Sequence, residues 1–223
     1  MKALIFDSGP LINLSMNGLL FVIEKLKALS NLSFIITPDV EREVIERPLT
    51  IPKFELGALR IQSLLERGVL ERPDKTKILL QNLVQETRRM MVAANNLMQI
   101  DGNPISIVSE AEMSCLALGK MLESKGYETL IAIDERTARM ICEKPDNLAA
   151  LMSERLHKKV KIAGDVSVFS KLKIIRTSEL LYVAYKKGLI ELKNAKALEA
   201  LILAAKFKGT SISWDEISEL KRL

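Results

Sequence analysis

Carboxylates follow two short apolar runs in this chain, and they are the side chains best placed to do chemistry. Asp7 comes directly after the run at residues 3–6, and Asp134 comes directly after the β-branched run at residues 129–133. If both runs are strands of one parallel sheet, both carboxylates lie at its carboxyl edge, where the sites of α/β proteins form. The spacing therefore predicts a pair of acids at one edge of a sheet.

Further acids lie on two predicted helices that can approach the same edge. Glu110 and Glu112 lie in the first turn of a helix predicted from Ser109, and Glu43 lies in a helix predicted over 38–46. Ionised carboxylates a few ångströms apart raise each other's pKa unless a cation compensates. Mg²⁺ or Mn²⁺ suits a site made of carboxylates and water, and such an ion promotes hydrolysis of phosphodiesters.

Each of these acids also has a structural interpretation that the spacing alone leaves open. An aspartate after a strand is commonly the N-cap of the next helix, which applies to Asp7 and Asp134. Acids in a first turn, such as Glu110 and Glu112, complement the helix dipole. Glu43 fits a solvated helix face equally well.

Composition excludes several classes of protein. The chain has 223 residues, of which 48% are apolar and 27% charged, as in an ordinary globular protein rather than a disordered or multi-span membrane chain. Its one histidine, His157, and the lack of a CxxC pair exclude a histidine dyad and a zinc ribbon. No signal peptide and no run of about 18 apolar residues is present, so we expect a cytoplasmic protein without a membrane partner.

The positive charge is concentrated in one segment. The formal net charge is +5, and residues 151–176 carry seven cations against two acids. Clustered cations suit a polyanion such as RNA, although a solvated lysine-rich face is the alternative. The candidate RNA-binding residues are Lys158, Lys159, Lys161 and Arg176.

Apolar periodicity predicts an alternation of strands and helices. Strands are predicted at 3–6, 32–36 and 129–133, with short candidates at 160–163 and 173–175. This alternation indicates a helix-rich, three-layer α/β/α fold with a central parallel sheet. We expect a single domain over 1–223, with a helical insertion at about 47–103 that contains no sheet, and C-terminal helices at about 178–223.

Four segments resemble, in this order, motifs of the PIN-domain nuclease family (PIN-like, VapC-related). They are FDSGPLINL at 6–14, SEAEMSCLALG at 109–119, AIDERTAR at 132–139 and IIRTSELLYVAYKKGLI at 174–190. The resemblance implies a PIN-like α/β/α fold and a Mg²⁺- or Mn²⁺-dependent endoribonuclease that cuts RNA. It also implies a candidate homodimer and, for a toxin, an antitoxin-like protein partner.

The same resemblance implies roles for particular residues. The catalytic and metal-binding acids are Asp7, Glu43, Glu110 and Asp134, with Glu112 as a competitor for the place of Glu110. Ser8 and Thr177 match hydroxyl positions near the metal. The chain departs from the family where Ser109, Arg176 and Glu179 replace glycines, and where the segments 47–103 and 143–170 are extra.

Other classes of protein share part of this pattern of acids. A phosphatase of the haloacid dehalogenase type also places an Asp after its first strand, but it needs a second Asp where this chain has Gly9. A receiver domain gathers acids at the same edge, but the chain after Asp134 does not suit one. A catalytically weak PIN-like protein that binds RNA or acts as a scaffold is the non-enzymatic alternative.

Overall fold

A parallel four-stranded sheet lies at the centre of residues 1–222, the part of the chain that the computed structural model describes. Its strand order is β2-β1-β5-β7, and β1 pairs with β5 so that Phe6 lies opposite Ala132. The strands are β1 (Lys2–Phe6), β2 (Leu32–Ile35), β3 (Met98–Ile100), β4 (Asn103–Pro104), β5 (Glu128–Ala132), β6 (Val160–Ile162) and β7 (Ile174–Ile175).

Helices cover both faces of this sheet. They are α1 (Ser8–Met16), α2 (Phe21–Ala28), α3 (Pro38–Glu41), α4 (Arg47–Leu49), α5 (Pro52–Glu66), α6 (Leu80–Asn95), α7 (Glu110–Ser124), α8 (Arg136–Glu143), α9 (Pro145–Leu156), α10 (Thr177–Lys186), α11 (Ala197–Phe207) and α12 (Trp214–Arg222). Helix α7 contacts β1, β5 and α6, whereas α10 contacts both α1 and α2. The predicted three-layer α/β/α fold is confirmed.

The segment predicted as a helical insertion does not consist of helices alone. After α5 and α6 it ends in the strands β3 and β4, which pair antiparallel, and β6 joins them in a second sheet. The turn between β3 and β4 consists of Asp101 and Gly102, with φ angles of 52° and 81°. The prediction of no sheet here was wrong, because Asp-Gly adopts the positive φ angles of a tight hairpin turn. The candidate strand at 160–163 likewise belongs to this second sheet.

Buried apolar residues form one large cluster around the central sheet. Strands β1 and β5 are almost wholly buried because helices cover both of their faces. Ile61 and Leu64 of α5 and Met90 of α6 belong to the same cluster, so the insertion packs on the α/β layers. Within residues 1–222, no helix is both long enough and apolar enough to cross a bilayer.

Candidate functional site

Polar residues follow each of the four parallel strands at the carboxyl edge of the sheet. Across the sheet they are Thr37 after β2, Asp7 after β1, Asp134 after β5 and Thr177 after β7, and all four are buried. Asp7 and Asp134 are brought to adjacent strand ends because the Asp7 amide continues the β1–β5 ladder, donating to the Ala132 carbonyl at 3.0 Å. The edge is therefore a row of buried polar groups.

Asp7 is the least compensated member of this row. Its side chain caps the start of α1, but the contact from the Gly9 amide is long, at 3.5 Å, and Oδ1 is buried without a hydrogen-bond partner in the described chain. Burial raises the pKa of Asp7 to about 7, with further repulsion from Glu112 and a smaller contribution from Glu43. A buried carboxyl with a spare oxygen and two acidic neighbours favours a proton or a cation.

Glu112 is the acid of α7 that faces this group. It is 8% exposed and forms a capping box with Ser109, whose amide donates to Glu112 Oε2 at 2.8 Å. Burial raises the pKa of Glu112, and Glu135 and Glu43 add repulsion. Glu110, predicted from the family resemblance, is exposed at the start of the same helix. The structure thus brings Glu112, rather than Glu110, towards Asp7.

Glu43 is the second acid whose charge acts on Asp7. It lies in a π-helical turn over Arg42–Glu46, between α3 and α4, and is half-buried. Such turns are rare and occur frequently at functional sites. The charge of Glu43 acts on both Asp7 and Glu112, so three acids from three elements share one electrostatic environment.

Asp134, in contrast, has hydrogen-bond partners at both oxygens. The Thr177 amide donates to Oδ1 at 2.8 Å and the Thr177 hydroxyl donates to Oδ2 at 2.7 Å, while the Asn13 amide lies 3.4 Å from Oδ2. Burial raises the pKa of Asp134, and the Thr177 bonds offset part of that rise. Asp134 is not the N-cap of α8, because Glu135 fills that position by accepting from the Ala138 amide at 2.9 Å.

Asn13 and Thr210 belong to the site but were not predicted from the sequence. The Asn13 amide group also donates to the Thr210 hydroxyl at 3.1 Å and to the Ala205 carbonyl at 2.8 Å. An Asn fully buried between Leu11 and Leu14 of α1 is the sequence feature that marks it, since a buried amide needs partners. Asn13 thus ties Asp134 to the C-terminal helices.

Gly9 keeps open a small space between the two aspartates. A Cβ atom on Gly9 would lie 3.6 Å from Asp7 Oδ2 and 3.4 Å from Asp134 Cβ. The space next to Asp7 therefore depends on the missing side chain. Ser8, the predicted hydroxyl neighbour, is half-buried in the first turn of α1.

The predicted RNA-binding cations fall into two groups. Lys158, Lys159 and Lys161 are exposed on the loop after α9 and on β6. Arg176 is 8% exposed, and its guanidinium donates to Glu179, to Glu216 at 2.8 Å and to the Ser211 carbonyl at 3.0 Å. Arg176 is thus not on an exposed rim, because its donors hold α10 and α12 together.

The donors at this edge suit an oxygen-liganded cation, although they do not form a closed coordination shell. No three His, Cys, Asp or Glu side chains within residues 1–222 are close enough together to hold a metal by themselves. A cation would nevertheless give the unpartnered Oδ1 of Asp7 a partner, and it would reduce the repulsion of Asp7 by Glu112 and Glu43. Mg²⁺ fits this donor set in that it keeps several waters and takes one or two carboxylates.

Fold and site together define a three-layer α/β/α protein with an acidic site at the carboxyl edge of its parallel sheet. Comparison of the chain with protein-family models, with curated proteins and with solved structures gives no match.

Proposed function

We propose that this protein is a Mg²⁺- or Mn²⁺-dependent endoribonuclease that hydrolyses RNA phosphodiester bonds. The observation that carries the proposal is the buried Asp7 carboxyl, which has an unpartnered oxygen and two acidic neighbours, Glu112 and Glu43. Such an arrangement costs stability unless a cation binds, so its presence points to a cation-dependent role. The resemblance of four sequence segments to PIN-domain nucleases supports the same chemistry.

The residues of the site would have different roles in the proposed reaction. Asp7 would hold the ion, Glu112 and Glu43 would add negative charge around it, and Glu110 is the alternative from sequence; the ion would supply activation of water and charge stabilisation at the phosphate. Asp134 lies next to Asp7 and is oriented by Thr177 and Asn13, so that it keeps the strand ends in place beside the ion. Ser8 is available as a hydroxyl at the start of α1.

Cations lie beside the acidic groups and would position the RNA backbone. A cavity of about 540 Å³ is lined by Glu112, Glu135 and Arg155, among others. The exposed Lys158 and Lys159 follow a few residues later in the chain. Phosphate contacts from such residues orient a strand without reading its sequence.

Matched substitutions on α7 and at Asp7 test this proposal. Purified protein is incubated with a structured and an unstructured RNA, with Mn²⁺ or with EDTA. We expect Asp7→Asn and Glu112→Gln to abolish Mn²⁺-dependent cleavage and the increase in melting temperature caused by Mn²⁺. Gln at 112 can keep the capping box with Ser109, so Glu112→Gln separates chemistry from folding.

Glu110→Gln is the control on the same helix turn, and we expect it to cut RNA at nearly the wild-type rate. Cleavage that survives in Asp7→Asn, or that proceeds equally in EDTA, would contradict the proposal.

A catalytically weak PIN-like protein that binds RNA or acts as a scaffold is the second candidate. The observation that favours it is that no three acidic side chains in the described residues form a ready metal site. It predicts RNA binding without cleavage and no thermal response to Mn²⁺. A toxin role with an antitoxin-like partner, a homodimer and a cytoplasmic location also stay predictions from the sequence.

A further inference from the structure

A second cavity lies on the opposite side of Asp134 from Asp7. It has a volume of about 820 Å³, and its walls come from α8, β7, the start of α10 and the segment that joins α11 to α12. The Ser211 amide donates to the Asp134 carbonyl at 3.0 Å, so one wall is attached to the strand end that carries Asp134. This volume is in the range of pockets that bind small ligands.

Arg139 of α8 gives this cavity a buried and poorly paired positive charge. Its side chain is 13% exposed, and its buried Nε has no hydrogen-bond partner among the described residues. The nearest carboxylate is Glu143, at a long 3.8 Å and half-exposed to solvent. Burial, followed by the like charge of Arg176, lowers the pKa of Arg139. A buried guanidinium in this state is stabilised by an anion.

The other cations of the cavity differ in whether they are already paired. Arg176 is committed to Glu179 and Glu216. Arg136 and Lys144 line the cavity, are exposed, and make no ion pair within residues 1–222. Three cations that can accept an anion therefore lie on one wall, at and around α8.

An exposed aromatic ring lies on the other wall. Phe207, at the end of α11, is 72% exposed and lines the cavity. Next to it in the chain, Lys206 also lines the cavity and holds its ammonium 5.1 Å from the centre of the Trp214 ring. An exposed aromatic beside a basic pocket is the arrangement on which nucleic-acid bases stack.

We propose that this cavity binds a nucleotide, with its phosphate on Arg139 and with its base stacked on Phe207. Arg136 and Lys144 supply the remaining charge at the phosphate. The inference goes beyond the proposed function, because it needs neither the metal nor the carboxylates of the acidic site. If the nucleotide belongs to an RNA strand, the cavity holds a residue that flanks the strand segment near Asp134.

Binding is measured in EDTA with the full chain, so that metal-dependent cleavage does not interfere. The probes are inorganic phosphate, adenosine 5′-monophosphate and a six-nucleotide RNA. Trp214 is the only tryptophan in the chain and touches Lys206, so its fluorescence is the readout, with calorimetry as the second measurement. We expect saturable binding of adenosine 5′-monophosphate that is tighter than that of phosphate.

Three variants test which residue binds the phosphate of the nucleotide and which residue binds its base. We expect Arg139→Met to weaken binding of the nucleotide and of phosphate about tenfold to hundredfold, in line with the loss of charge-assisted hydrogen bonds. Phe207→Ala should weaken binding of the nucleotide but leave binding of phosphate unchanged, and Phe207→Trp should restore binding of the nucleotide. Arg88→Met, the same exchange at an exposed arginine of α6, is the control and should bind as the wild type.

The melting temperature of each variant without ligand shows whether that variant is folded. Because Arg139→Met removes a buried, poorly paired charge, we expect its melting temperature to be unchanged or higher. Should that variant not fold, Phe207→Ala, at an exposed position, still tests the proposal. A nucleotide that binds equally to wild type and Arg139→Met, or to wild type and Phe207→Ala, would overturn it, as would failure of all three probes to bind.

The two sources of the ligand give different results, both of which support the pocket. Tight binding of adenosine 5′-monophosphate alone indicates a free nucleotide, and binding that tightens with the six-nucleotide RNA indicates a strand. Binding in EDTA that persists in Asp7→Asn separates this pocket from the proposed nuclease site, since either can fail without the other.

Discussion

At the scale of single residues, the structure separates two aspartates that look alike in the sequence. Both follow a parallel strand and both are buried, yet Asp134 has its oxygens bonded by Thr177 and Asn13 whereas Asp7 keeps one oxygen unpartnered. An unsatisfied buried carboxylate is the costlier of the two. Asp7 is therefore the residue at which we expect a bound cation to have the largest effect on stability.

The stability of the metal-free protein should depend on pH through Asp7. Its pKa is 3.8 when unperturbed and about 7 in the fold, so between these values the native state binds more protons than the unfolded chain. The free energy of unfolding then falls as pH rises from about 4 to about 7, and the loss persists above pH 7. At about 1.4 kcal/mol per pKa unit, the loss amounts to about 4 kcal/mol.

Asp7→Asn removes this dependence, and urea unfolding at several pH values in EDTA measures it. We expect the variant to be the more stable protein at pH 8 and to show a smaller fall between pH 4 and pH 7, because the raised pKa values of Glu112 and Asp134 leave part of the dependence in place. Asp101→Asn, the same exchange at an exposed turn, should keep the wild-type profile. An unchanged profile in Asp7→Asn would show that its carboxyl ionises normally.

The sequence predicts part of this site and leaves another part open for a physical reason. Asp7 and Asp134 follow strands, and strand ends in a parallel sheet meet at one edge, so their proximity is predictable. The choice between Glu110 and Glu112 depends on the rotation of α7, which the carboxylates alone do not reveal. The pattern Ser109-x-x-Glu112 does contain that information, since a capping box directs Glu112 back across the first turn.

At the scale of elements, the first turn of α1 matters as much as the acids around it. Gly9 lies there with no side chain between Asp7 and Asp134, and the contacts of an added Cβ atom, at 3.4 Å and 3.6 Å, are ordinary van der Waals distances. A methyl group therefore fits without a clash. It would, however, occupy space beside Asp7 that an ion and its waters need.

We therefore expect Gly9→Ala to stabilise the metal-free protein and to weaken its response to Mn²⁺. We expect the free energy of unfolding of the metal-free protein to rise by up to about 1 kcal/mol, because alanine is favoured over glycine in a helix. The increase in melting temperature caused by Mn²⁺ should shrink at the same time. Gly57→Ala in α5 is the control, whose Cβ would meet only Ser15 Oγ, and it should keep the Mn²⁺ response. A full Mn²⁺ response in Gly9→Ala would argue that the ion binds elsewhere.

Elements of the sheet and of the insertion differ in how far they follow from the sequence. The strands at 3–6 and 129–133 are apolar runs that end in a carboxylate, and the structure has strands there. The second sheet was missed because β3 and β4 span five residues in all, so the alternation of apolar and polar residues in Met98–Ile100 is too short to indicate a strand. The Asp101–Gly102 pair was the available indication, since both residues adopt the positive φ that a two-residue hairpin turn requires.

At the scale of the whole molecule, opposite charges lie in separate regions that together suit a polyanion. The acids gather at the carboxyl edge of the sheet, and the exposed lysines follow α9, whose last turn lines a cavity with Glu112. A polyanion attracted by the lysines is thereby brought near a site that itself repels phosphate. In the proposed nuclease, the lysines would offset the repulsion between an RNA strand and the acids.

The salt dependence of RNA binding tests this division of charge. Replacement of Lys158, Lys159 and Lys161 by alanine should lower the slope of log affinity against log salt by about 2, at about 0.7 per phosphate contact on a single strand. Fluorescence anisotropy in EDTA over a series of KCl concentrations measures it. The control replaces Lys186, Lys187 and Lys193, which are also exposed, and should leave the slope unchanged. Equal slopes for both triple variants would assign RNA binding to another surface.

The hydrogen bonds of Asn13 have a consequence for the synthesis of the protein. This residue near the start of the chain donates to Ala205 and Thr210, and Asp7 continues a ladder whose other strand begins at Glu128. A nascent chain lacks those partners until residues beyond Thr210 have left the ribosome. The polar contacts of this edge therefore form only after translation has passed that point.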